Sequence, residues 1–448
     1  MGKYFGTDGF RGEANLALTA PHAYKIGRYL GFTLGKEKRA RVVIGKDTRC
    51  SGDMLESALI SGLNASGTDV YLLHVTTTPS VSYIVKNDGF DCGIMISASH
   101  NPFYDNGIKL INSRGEKIEA EIEEKIEAFI DERSQEDVPL ARRGDIGRVI
   151  DYSIGKEKYI DHLAGSINCS IKDLKVAVDC SNGSASAVAK GLFEKIGINA
   201  RIINDQPNGI NINDNCGSTH IDVLRSYVKE NGCDMGFALD GDADRCLAVD
   251  ENGNAVDGDM IMFICGKYLK ENNRLNNNTV VTTVMSNIGL YKALKQEDID
   301  SVITDVGDKY VSEAMVAGDY SIGGEQSGHI IFREFASTGD GLLTALMLYE
   351  AAVNKNKTLG ELAGEVKIYP QLLKNVRVKD KDEAMKNENV LAAVKKAEDE
   401  LGEDGRILVR MSGTEPLIRV MAEAVTGEVC RTHVENIIEV IRQEGLEE

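Results

Sequence analysis

One serine follows an apolar run in a setting that suggests chemistry. Ser99 lies in the segment Ser97-Ala98-Ser99-His100-Asn101-Pro102, directly after the strand-length run 91–96. The polar loop, with Gly107 and a helical pattern beyond it, predicts a turn at a strand end that faces the start of a helix. Helix N-termini stabilise phosphate groups, and no neighbouring triad signature accompanies this serine. The segment therefore predicts phosphate chemistry at Ser99, with a purely structural serine as the alternative.

Three aspartates at alternate positions form a second candidate site. Asp240, Asp242 and Asp244 follow the strand candidate 235–239 and precede Arg245. Mg²⁺ prefers hard oxygen ligands and usually takes a phosphate oxygen as well, so this loop predicts a magnesium site. An EF-hand needs glycine at the sixth position, where this loop has Arg245, so a calcium loop is excluded. A solvated acidic turn is the other alternative, although three crowded carboxylates repel one another without a cation.

Two further loops carry groups suited to a phosphosugar. The glycine-rich segment 323–329 offers Glu325, Ser327 and His329, which can bind sugar hydroxyls, and the imidazole can serve as a general acid or base. An ordinary turn is an equal alternative there. The second loop closes a strand and combines two arginines with small donors, and it predicts an anion-binding cradle formed by Arg410, Ser412, Gly413, Thr414 and Arg419.

Positive charges recur near the candidate serine. The segments 7–12 and 45–49 both combine glycine, aspartate and arginine, including Arg11 and Arg49, and Lys109 stands ten positions after Ser99. Each motif alone is weak. Together they place cations in the same predicted domain as a phosphate carried by Ser99.

The order of apolar segments predicts the elements that position these groups. Strand candidates alternate with helical stretches in three successive sets, which is typical of α/β domains with mixed, mostly parallel sheets and crossover helices. One helical stretch carries an apolar stripe at helical spacing, which indicates core packing, at Ile118, Ile122, Ile126, Phe129 and Ile130. The last stretch predicts a smaller α+β domain that ends in a helix. We therefore expect four domains, at 1–150, 151–252, 253–368 and 369–448.

Composition limits the classes of partner. A net charge of −19 argues against nucleic acid, whose backbone requires a basic surface. The nine cysteines form no zinc-like spacing and indicate reduced thiols. The sequence has no signal-like apolar segment and no membrane-length apolar run, so we expect a cytoplasmic protein without a membrane partner.

These motifs, in this order and over nearly the whole length, resemble the α-D-phosphohexomutase family. Within the family, FGTDGFRG, ISASHNPFYDNGIK, GGEQSGH and RMSGTEPLIRVMAEA look most like the members that act on hexosamine phosphates. The resemblance implies four domains around a central cleft, a mutase activity, one Mg²⁺ per active site, a hexosamine or hexose 1,6-bisphosphate activator and a homodimer. Family members that act on glucose or mannose phosphates are the alternative, and a non-catalytic phosphosugar-binding regulator is a third.

The resemblance also implies roles for individual residues. Ser99 would carry the phosphate, the three aspartates would share Mg²⁺ with it, and Arg245 would lie beside them. Lys109 and His329 are the candidates for proton transfer. Substrate would be bound by Arg11, Arg245, Glu325, Ser327, Arg410, Ser412, Gly413, Thr414 and Arg419.

Three positions depart from the family pattern. Ala243 and Met411 stand where glycine and proline are common, and Lys309 stands where arginine is common. A lysine cannot form the two-pronged contact of an arginine. We expect Ala243 to have a negative φ, because the left-handed region disfavours a side chain.

Overall fold

The computed structural model describes residues 2–6, 8–412 and 416–448. Contacts divide the chain into two compact units. The larger comprises Met1–Met285 and Asp298–Gly364, and the smaller comprises Ser286–Glu297 and Glu365–Glu448. Each unit is described separately below.

A seven-stranded sheet forms the N-terminal part of the larger unit, in the order β1-β2-β6-β5-β3-β4-β7. Strands β5, β3, β4 and β7 run parallel, whereas β1, β2 and β6 extend the sheet by antiparallel pairing. The strands are β1 Phe5–Gly6, β2 Gly9–Glu13, β3 Arg41–Lys46, β4 Asp69–Val75, β5 Cys92–Ile96, β6 Asp105–Asn112 and β7 Val149–Asp151. The helices are α1 Ala20–Leu34, α2 Gly52–Ala65, α3 Thr78–Asn87 and α4 Ala120–Ile130.

The apolar faces of these elements explain the packing of this sheet. Strand β5 is buried at all five positions, as expected for a central strand covered on both faces. On α4, Ile126 and Ile130 are buried four residues apart and join the core cluster of the sheet. The apolar stripe that the sequence placed on this helix is therefore core packing.

A five-stranded sheet follows in the order β12-β11-β10-β8-β9. Its central strand β10 pairs parallel with β8 and antiparallel with β11, so this sheet is also mixed. The strands are β8 Val176–Asp179, β9 Ala200–Ile203, β10 Met235–Leu239, β11 Cys246–Asp250 and β12 Ala255–Val256. The helices are α5 Ile154–Ser166, α6 Ala189–Ile196 and α7 Asp222–Asn231.

A four-stranded sheet in the order β14-β13-β15-β16 completes the larger unit. Its strands are β13 Thr279–Thr283, β14 Asp300–Thr304, β15 Ile322–Gly324 and β16 Ile330–Phe332. The associated helices are α8 Gly258–Glu271, α10 Asp308–Ala317, α11 Gly341–Lys355 and α12 Leu359–Ala363. Three mixed α/β sheets therefore confirm the predicted repetition of one strand–helix pattern.

The smaller unit contains a three-stranded antiparallel sheet in the order β17-β19-β18. Its strands are β17 Gln371–Arg377, β18 Arg406–Met411 and β19 Leu417–Glu423, and its helices are α9 Ile288–Gln296, α13 Lys381–Lys386, α14 Glu388–Leu401 and α15 Gly427–Gln443. The C-terminal helix has the predicted apolar face, with buried Val434, Ile437 and Ile441. This is the α+β domain that the sequence predicts.

One helix belongs to a different unit than its place in the chain suggests. Helix α9 follows β13 in sequence, yet it groups with the C-terminal sheet. Asn287 Nδ2 donates to the carbonyl of Tyr369 at 2.9 Å, and Glu423 accepts from the N–H of Ile288 at 3.0 Å. These contacts link residues more than eighty positions apart, so no local sequence pattern reveals them.

Buried thiols agree with the prediction of reduced cysteines. All nine are free in the described structure; Cys50 is exposed, and burial raises the pKa of Cys92 to about 12. None of the described helices is both long enough and apolar enough to cross a membrane.

Asp340 gives the larger unit a predictable dependence on pH. This buried residue caps α11 through the N–H of Leu343 and accepts from the Tyr159 hydroxyl at 2.7 Å. Burial raises the pKa of Asp340 to about 6, against about 3.9 in an unfolded chain. Because the folded state holds this proton more tightly, its contribution to stability is largest below about pH 4 and is lost as the pH rises to about 6.

Asp340→Asn keeps a helix cap but removes the titration. We expect the melting temperature of the variant, relative to wild type, to rise as the pH increases from about 4 to about 6 and then to level off. Thermal unfolding across this range measures the effect. Asp380→Asn, which alters the exposed cap of α13, is the matched control. A difference between wild type and Asp340→Asn that does not change with pH would contradict the assignment.

Candidate functional site

Ser99 is buried at the end of β5, and its hydroxyl points at the aspartate loop. It has a left-handed backbone, with φ of 52°, and only 1% of its surface is exposed. Its Oγ donates to Oδ2 of Asp240 at 2.5 Å, across 141 positions of sequence. The structure thus brings together two sites that the sequence predicts separately. The predicted helix after the loop is wrong: the chain continues into strand β6, which pairs antiparallel with β5.

A buried arginine holds the Ser99 loop in this conformation. Each nitrogen of the Arg49 guanidinium donates either to backbone carbonyls of the Ser99 loop or to the carboxylate of Asp47. The Nη2 group donates to the carbonyls of Ser99 at 2.9 Å and Asn101 at 2.8 Å. Nη1 donates to the carbonyls of Pro102 and Asp105, and Nε donates to Asp47 at 2.8 Å.

Asp47 completes this support from below the loop. Its Oδ2 also accepts from the Ser97 hydroxyl at 2.6 Å, and Ser97 Oγ in turn accepts from the N–H of Ser99 at 3.0 Å. The side chains of Asp47 and Arg49 are completely buried. Arg49 is therefore a structural clamp on the Ser99 loop.

The loop between β9 and α7 also contacts the Ser99 loop. Asn213 Nδ2 donates to the carbonyls of Ser99 at 2.9 Å and Asn101 at 3.0 Å. Gly241 allows this approach, because a Cβ on it would lie 2.4 Å from the Ser99 carbonyl oxygen. The glycine between the first two aspartates is thus required by the close contact of two loops.

The three aspartates form a compact set of oxygen ligands. Asp240, Asp242 and Asp244 each offer one carboxylate oxygen, and these oxygens all lie within 4.8 Å of one another. All three residues are buried, and Oδ1 of both Asp242 and Asp244 has no hydrogen-bond partner. Buried carboxylate oxygens without donors are costly unless a cation satisfies them. The arrangement therefore fits a divalent metal ion.

The charges of these carboxylates differ because their neighbours differ. Burial and the adjacent Asp244 and Asp242 raise the pKa of Asp240 well above its usual value. Burial also opposes ionisation of Asp244, but Lys109 and His329 outweigh it and hold its pKa well below the usual range. A divalent cation would offset this repulsion among the carboxylates.

The backbone of the aspartate loop differs from the expectation at Ala243. Its φ is 57°, so the expected negative φ is wrong. The turn is stabilised by two backbone hydrogen bonds, from the N–H of Ala243 to Asp240 at 3.1 Å and from the N–H of Gly341 to Ala243 at 2.9 Å. These tertiary contacts offset the unfavourable left-handed conformation, which costs a non-glycine residue about 1 kcal/mol or more.

Lys109 and Thr78 hold the outer oxygen of Asp242. Lys109 Nζ lies 2.6 Å from Asp242 Oδ2 and 3.1 Å from Asp244 Oδ2. Thr78, the first residue of α3, donates its hydroxyl to the same Asp242 oxygen at 2.5 Å. Burial disfavours the ammonium form, but the two aspartates outweigh it and raise the pKa of Lys109. The Lys109 ammonium is therefore a fixed positive charge beside the loop that carries the three aspartates.

His329 has defined neighbours on both ring nitrogens. Its Nδ1 lies 3.9 Å from Asp244, and its Nε2 accepts from the N–H of Gly339 at 3.1 Å. Burial lowers its pKa, but Asp244 outweighs burial and raises it to about 9. Only an unprotonated Nε2 can accept the Gly339 N–H, so this contact stabilises the neutral ring with its proton on Nδ1, against the imidazolium that Asp244 favours. A cation on the triad would weaken the opposing pull of Asp244.

The glycine-rich loop positions its carboxylate at the start of another helix. Glu325 accepts from the N–H of Gly307, just before α10, at 2.9 Å. Ser327 is exposed and donates to Glu325 at 3.3 Å. Gln326 instead turns toward the cap of α8, where its amide donates to Asp257 at 3.2 Å. Glu325 and Ser327 thus lie together, as predicted.

Other cations surround the serine. Arg245 Nη1 and Ser99 Oγ each lie 3.3 Å from Nδ1 of His100. Burial and the positive charges of Arg245 and Arg11 lower the pKa of His100. On β2, Arg11 pairs with Asp8 at 3.1 Å. Asp8 and His100 therefore join Arg245 and the other predicted groups around Ser99 and the three aspartates.

A cavity of about 560 Å³ opens beside the triad, within the larger unit. Its volume lies in the usual range for small-molecule sites. Asp8, Lys109, Asp244 and His329 line one side, and Asp308 and Lys309 at the start of α10 line another. Both charge signs are present, as a charged and hydroxylated ligand would require.

The predicted anion cradle lies in the smaller unit. Arg410 on β18 and Arg419 on β19 are directly opposite each other across an antiparallel pair. Like charges at such a pair are unfavourable, so an anion would stabilise them. Ser412 is buried next to this pair, and its N–H donates to Leu417 at 2.9 Å. Gly413 and Thr414 lie outside the described residues.

Three groups escaped the sequence analysis. Thr78 at the start of α3, Asn213 in a polar loop and Asp47 beneath Ser99 contact the site only through the tertiary structure. A weak signal existed for Thr78, because the run Thr77-Thr78-Pro79 is typical of a helix start. No comparable signal marks Asn213.

Comparison with known families covers nearly the whole chain. It matches the phosphoglucomutase/phosphomannomutase alpha/beta/alpha domains I, II and III over residues 2–137, 157–253 and 257–369. The C-terminal domain of the same group matches residues 373–440. These four matches follow the order of the sheets described above.

Full-length relatives are much more similar. The chain is 57% identical over 445 residues to a phosphoglucosamine mutase of Lachnoclostridium phytofermentans, with 99% of each chain covered. It is 51% identical over 449 residues to the phosphoglucosamine mutase of Bacillus subtilis, with each chain covered completely.

Solved structures share the fold at lower identity. A phosphoglucomutase/phosphomannomutase family protein from Burkholderia thailandensis has a TM-score of 0.81 at 22% identity, covering 99% of this chain and 98% of its own. An Aspergillus fumigatus N-acetylphosphoglucosamine mutase, solved with GlcNAc-6P and magnesium, has a TM-score of 0.69 at 19% identity and covers 99% and 96%.

Proposed function

Because the chain belongs to the phosphoglucosamine mutases of the α-D-phosphohexomutase family, we propose that it interconverts glucosamine 6-phosphate and glucosamine 1-phosphate through phosphorylated Ser99. The observation that carries this proposal is the contact between Ser99 Oγ and Asp240 in a rigid loop beside the aspartate triad. The product would supply the synthesis of UDP-N-acetylglucosamine and cell-wall precursors.

Phosphorylation of Ser99 changes what Asp240 can bind. In the unmodified protein the Ser99 hydroxyl donates to Asp240 Oδ2 at 2.5 Å. A phosphate ester has no such proton, so Asp240 Oδ2 loses its donor and becomes available as a ligand, while the phosphate adds acceptor oxygens. The N–H of Arg245 continues to hold Oδ1 at 3.2 Å. The phosphorylated enzyme should therefore bind a cation more tightly than the unmodified one.

The residues that would hold Mg²⁺ are Asp240, Asp242 and Asp244, together with the phosphate on Ser99. When bound, the ion would neutralise charge on the transferring phosphoryl group. The chain supports this chemistry by burying the triad and fixing the carboxylates with Lys109 and Thr78. Phosphoryl transfer depends mainly on position and charge, so Ser99 does not need a Ser-His-Asp triad for this reaction.

The proposed reaction exchanges two phosphoryl bonds. An O1 or O6 hydroxyl of the bound hexosamine monophosphate attacks the phosphorus on Ser99. The bond from phosphorus to Ser99 Oγ breaks as the bond from phosphorus to the sugar oxygen forms. The attacking hydroxyl gives up its proton and Oγ regains one, which leaves a 1,6-bisphosphate and a free Ser99 hydroxyl. The bisphosphate turns over, and its other phosphoryl group returns to Oγ. An added hexosamine or hexose 1,6-bisphosphate activates the enzyme by loading Ser99 in the same way.

Proton transfer is assigned among the groups beside the serine. Lys109 and His329 were expected in this role. The two ion pairs of Lys109 favour a fixed positive charge, so we assign proton transfer to His329, which lines the cavity. Its neutral ring presents a proton on Nδ1 toward Asp244, and this pair can exchange a proton with a group in the cavity.

Substrate binding is assigned to the remaining loops. Glu325 and Ser327 would bind sugar hydroxyls, whereas Arg11 and Arg245 would bind charge near the reacting phosphate. The non-reacting phosphate would be held by Arg410, Ser412, Gly413, Thr414 and Arg419. We also propose four domains, at 1–150, 151–252, 253–368 and 369–448, a homodimer, and a cytoplasmic location.

Substrate preference tests the proposed function. We expect kcat/KM for glucosamine 6-phosphate to exceed those for glucose 6-phosphate and mannose 6-phosphate by more than about tenfold, with the bisphosphate as activator. A coupled assay of the 1-phosphate product measures each rate. A preference for glucose or mannose phosphate would assign the chain to the other mutases of the family. Binding without turnover of any of the three would indicate a regulator.

A further inference from the structure

We propose that Thr78 is a positioning residue that limits Asp242 to a single metal-binding oxygen and thereby favours Mg²⁺ over Ca²⁺. The inference rests on the proposed metal site at the aspartate triad. It concerns Oδ2 of Asp242, which accepts hydrogen bonds from Thr78 at the start of α3 and from Lys109 on β6.

Both lone pairs of one Asp242 oxygen are already used. Thr78 Oγ1 donates to Oδ2 at 2.5 Å, and Lys109 Nζ donates to the same oxygen at 2.6 Å. A carboxylate oxygen accepts about two hydrogen bonds in its plane. Oδ1 of Asp242 is buried and has no partner. Asp242 can therefore offer a cation Oδ1 only.

Thr78 is itself held firmly enough to fix this carboxylate. Its own N–H donates to the Asp242 carbonyl at 3.0 Å, so the residue contacts both the backbone and the side chain of Asp242. Thr78 is the first residue of α3 and is 94% buried, which follows from its 6% exposure. The preceding Thr77 caps the helix by accepting from the N–H of Ser80. The N-terminus of α3 is thus a rigid support for the loop that carries the three aspartates.

The number of oxygens per carboxylate affects the choice of ion. Mg²⁺ requires a nearly regular octahedron, whereas Ca²⁺ accepts six to eight oxygens and often binds a carboxylate through both of them. Lys109 also donates to Oδ2 of Asp244 at 3.1 Å, while Oδ1 of that residue has no hydrogen-bond partner. An Asp242 that is restricted to one oxygen gives the triad one ligand fewer than a two-oxygen Asp242 would, which disfavours Ca²⁺. Removing the Thr78 hydroxyl would open one position on Asp242 Oδ2.

Thr78→Val tests the proposal, because valine keeps the shape and the backbone N–H but lacks the hydroxyl. The measurement is the affinity of the full-length, phosphorylated protein for Mg²⁺ and for Ca²⁺, each titrated separately by calorimetry. We expect Mg²⁺ affinity to fall about tenfold, the typical effect of losing a partner behind a metal ligand, and the ratio of Mg²⁺ to Ca²⁺ affinity to fall with it. Thr78→Ser should restore both values.

Matched controls separate this role from a structural one. Thr77→Val removes the helix cap beside Thr78 without touching Asp242, so it should lower the melting temperature and leave the affinity ratio unchanged. Thr78→Ala replaces Thr78→Val if the valine variant does not fold in the absence of metal. An affinity ratio equal to that of wild type in the variant without the hydroxyl would overturn the proposal.

One further variant distinguishes failure of this inference from failure of the metal site. Asp240→Asn should abolish Mg²⁺ binding if the triad is the site, because it removes a ligand and not its support. If Asp240→Asn binds Mg²⁺ as wild type does, the proposed metal site is wrong and the role of Thr78 falls with it. If Asp240→Asn loses binding while Thr78→Val keeps the wild-type ratio, only the role of Thr78 is wrong.

Discussion

Ser99→Ala is expected to reduce mutase turnover by more than roughly a thousandfold, because no other hydroxyl can replace the group that stores the phosphoryl. Ser99 Oγ is the hydroxyl that contacts Asp240, and the fixed loop holds it there. The steady-state rate with glucosamine 6-phosphate and added bisphosphate measures the loss. Intact mass should show one phosphoryl group on wild type after incubation with the bisphosphate and none on the variant.

The control for this variant is a serine on helix α2, in the same part of the larger unit. Ser57 is exposed on α2, and its hydroxyl donates only to the carbonyl of Asp53, one turn earlier. Ser57→Ala should retain full turnover and the phosphoryl mass. A phosphoryl group on the Ser99→Ala protein, or turnover near that of wild type, would refute the proposed mechanism. Loss of activity with an unchanged melting temperature would show that the change is chemical and not a failure to fold.

Arg49→Lys should be strongly destabilising even though it conserves charge. The guanidinium donates to four loop carbonyls and to Asp47, whereas an ammonium has three donors and cannot span these positions. Buried acceptors would be left unsatisfied beside the buried carboxylate of Asp47. Breaking a buried ion pair typically costs about 3–5 kcal/mol, and we expect a loss of that order for the larger unit.

The same substitution should also affect catalysis. Because Arg49 fixes the Ser99 carbonyl, its loss would release the left-handed backbone that directs Oγ at Asp240. We expect kcat to fall at least about tenfold under conditions where the variant is folded, with a smaller change in KM. Urea unfolding and steady-state kinetics measure the two effects. Arg133→Lys, an exposed ion pair with Asp131, is the control, and wild-type stability and kcat in Arg49→Lys would refute the clamp.

Local patterns were sufficient for the elements and for most candidate groups. Strand β5 was predicted at its observed position because a fully buried strand is a continuous apolar run. The stripe on α4 and the C-terminal helix were predicted because apolar residues recur at the helical period. The three aspartates were found because alternate carboxylates after a strand have few other uses.

Local patterns failed where distant residues decide the conformation. The chain after Ser99 forms β6 instead of a helix because β5 and β2 flank it as pairing partners. Ala243 adopts a positive φ because hydrogen bonds at its N–H and its carbonyl, the latter from Gly341, stabilise the turn. Helix α9 joins the C-terminal sheet because Asn287 and Glu423 meet.

The sequence by itself therefore determined the type of chemistry, since the serine, the aspartates and the arginine pair are each recognisable by residue type and spacing. It also determined the order of strands and helices, because burial imposes periods on the chain. Only the tertiary structure decided what each charged group does. Arg49, which the sequence shows only as part of a charged motif, is a buried clamp, and Lys109, predicted to move a proton, is held between two carboxylates. The reason is physical: hydrogen-bond partners and burial determine a charged group's role, and both come from residues far away in the sequence.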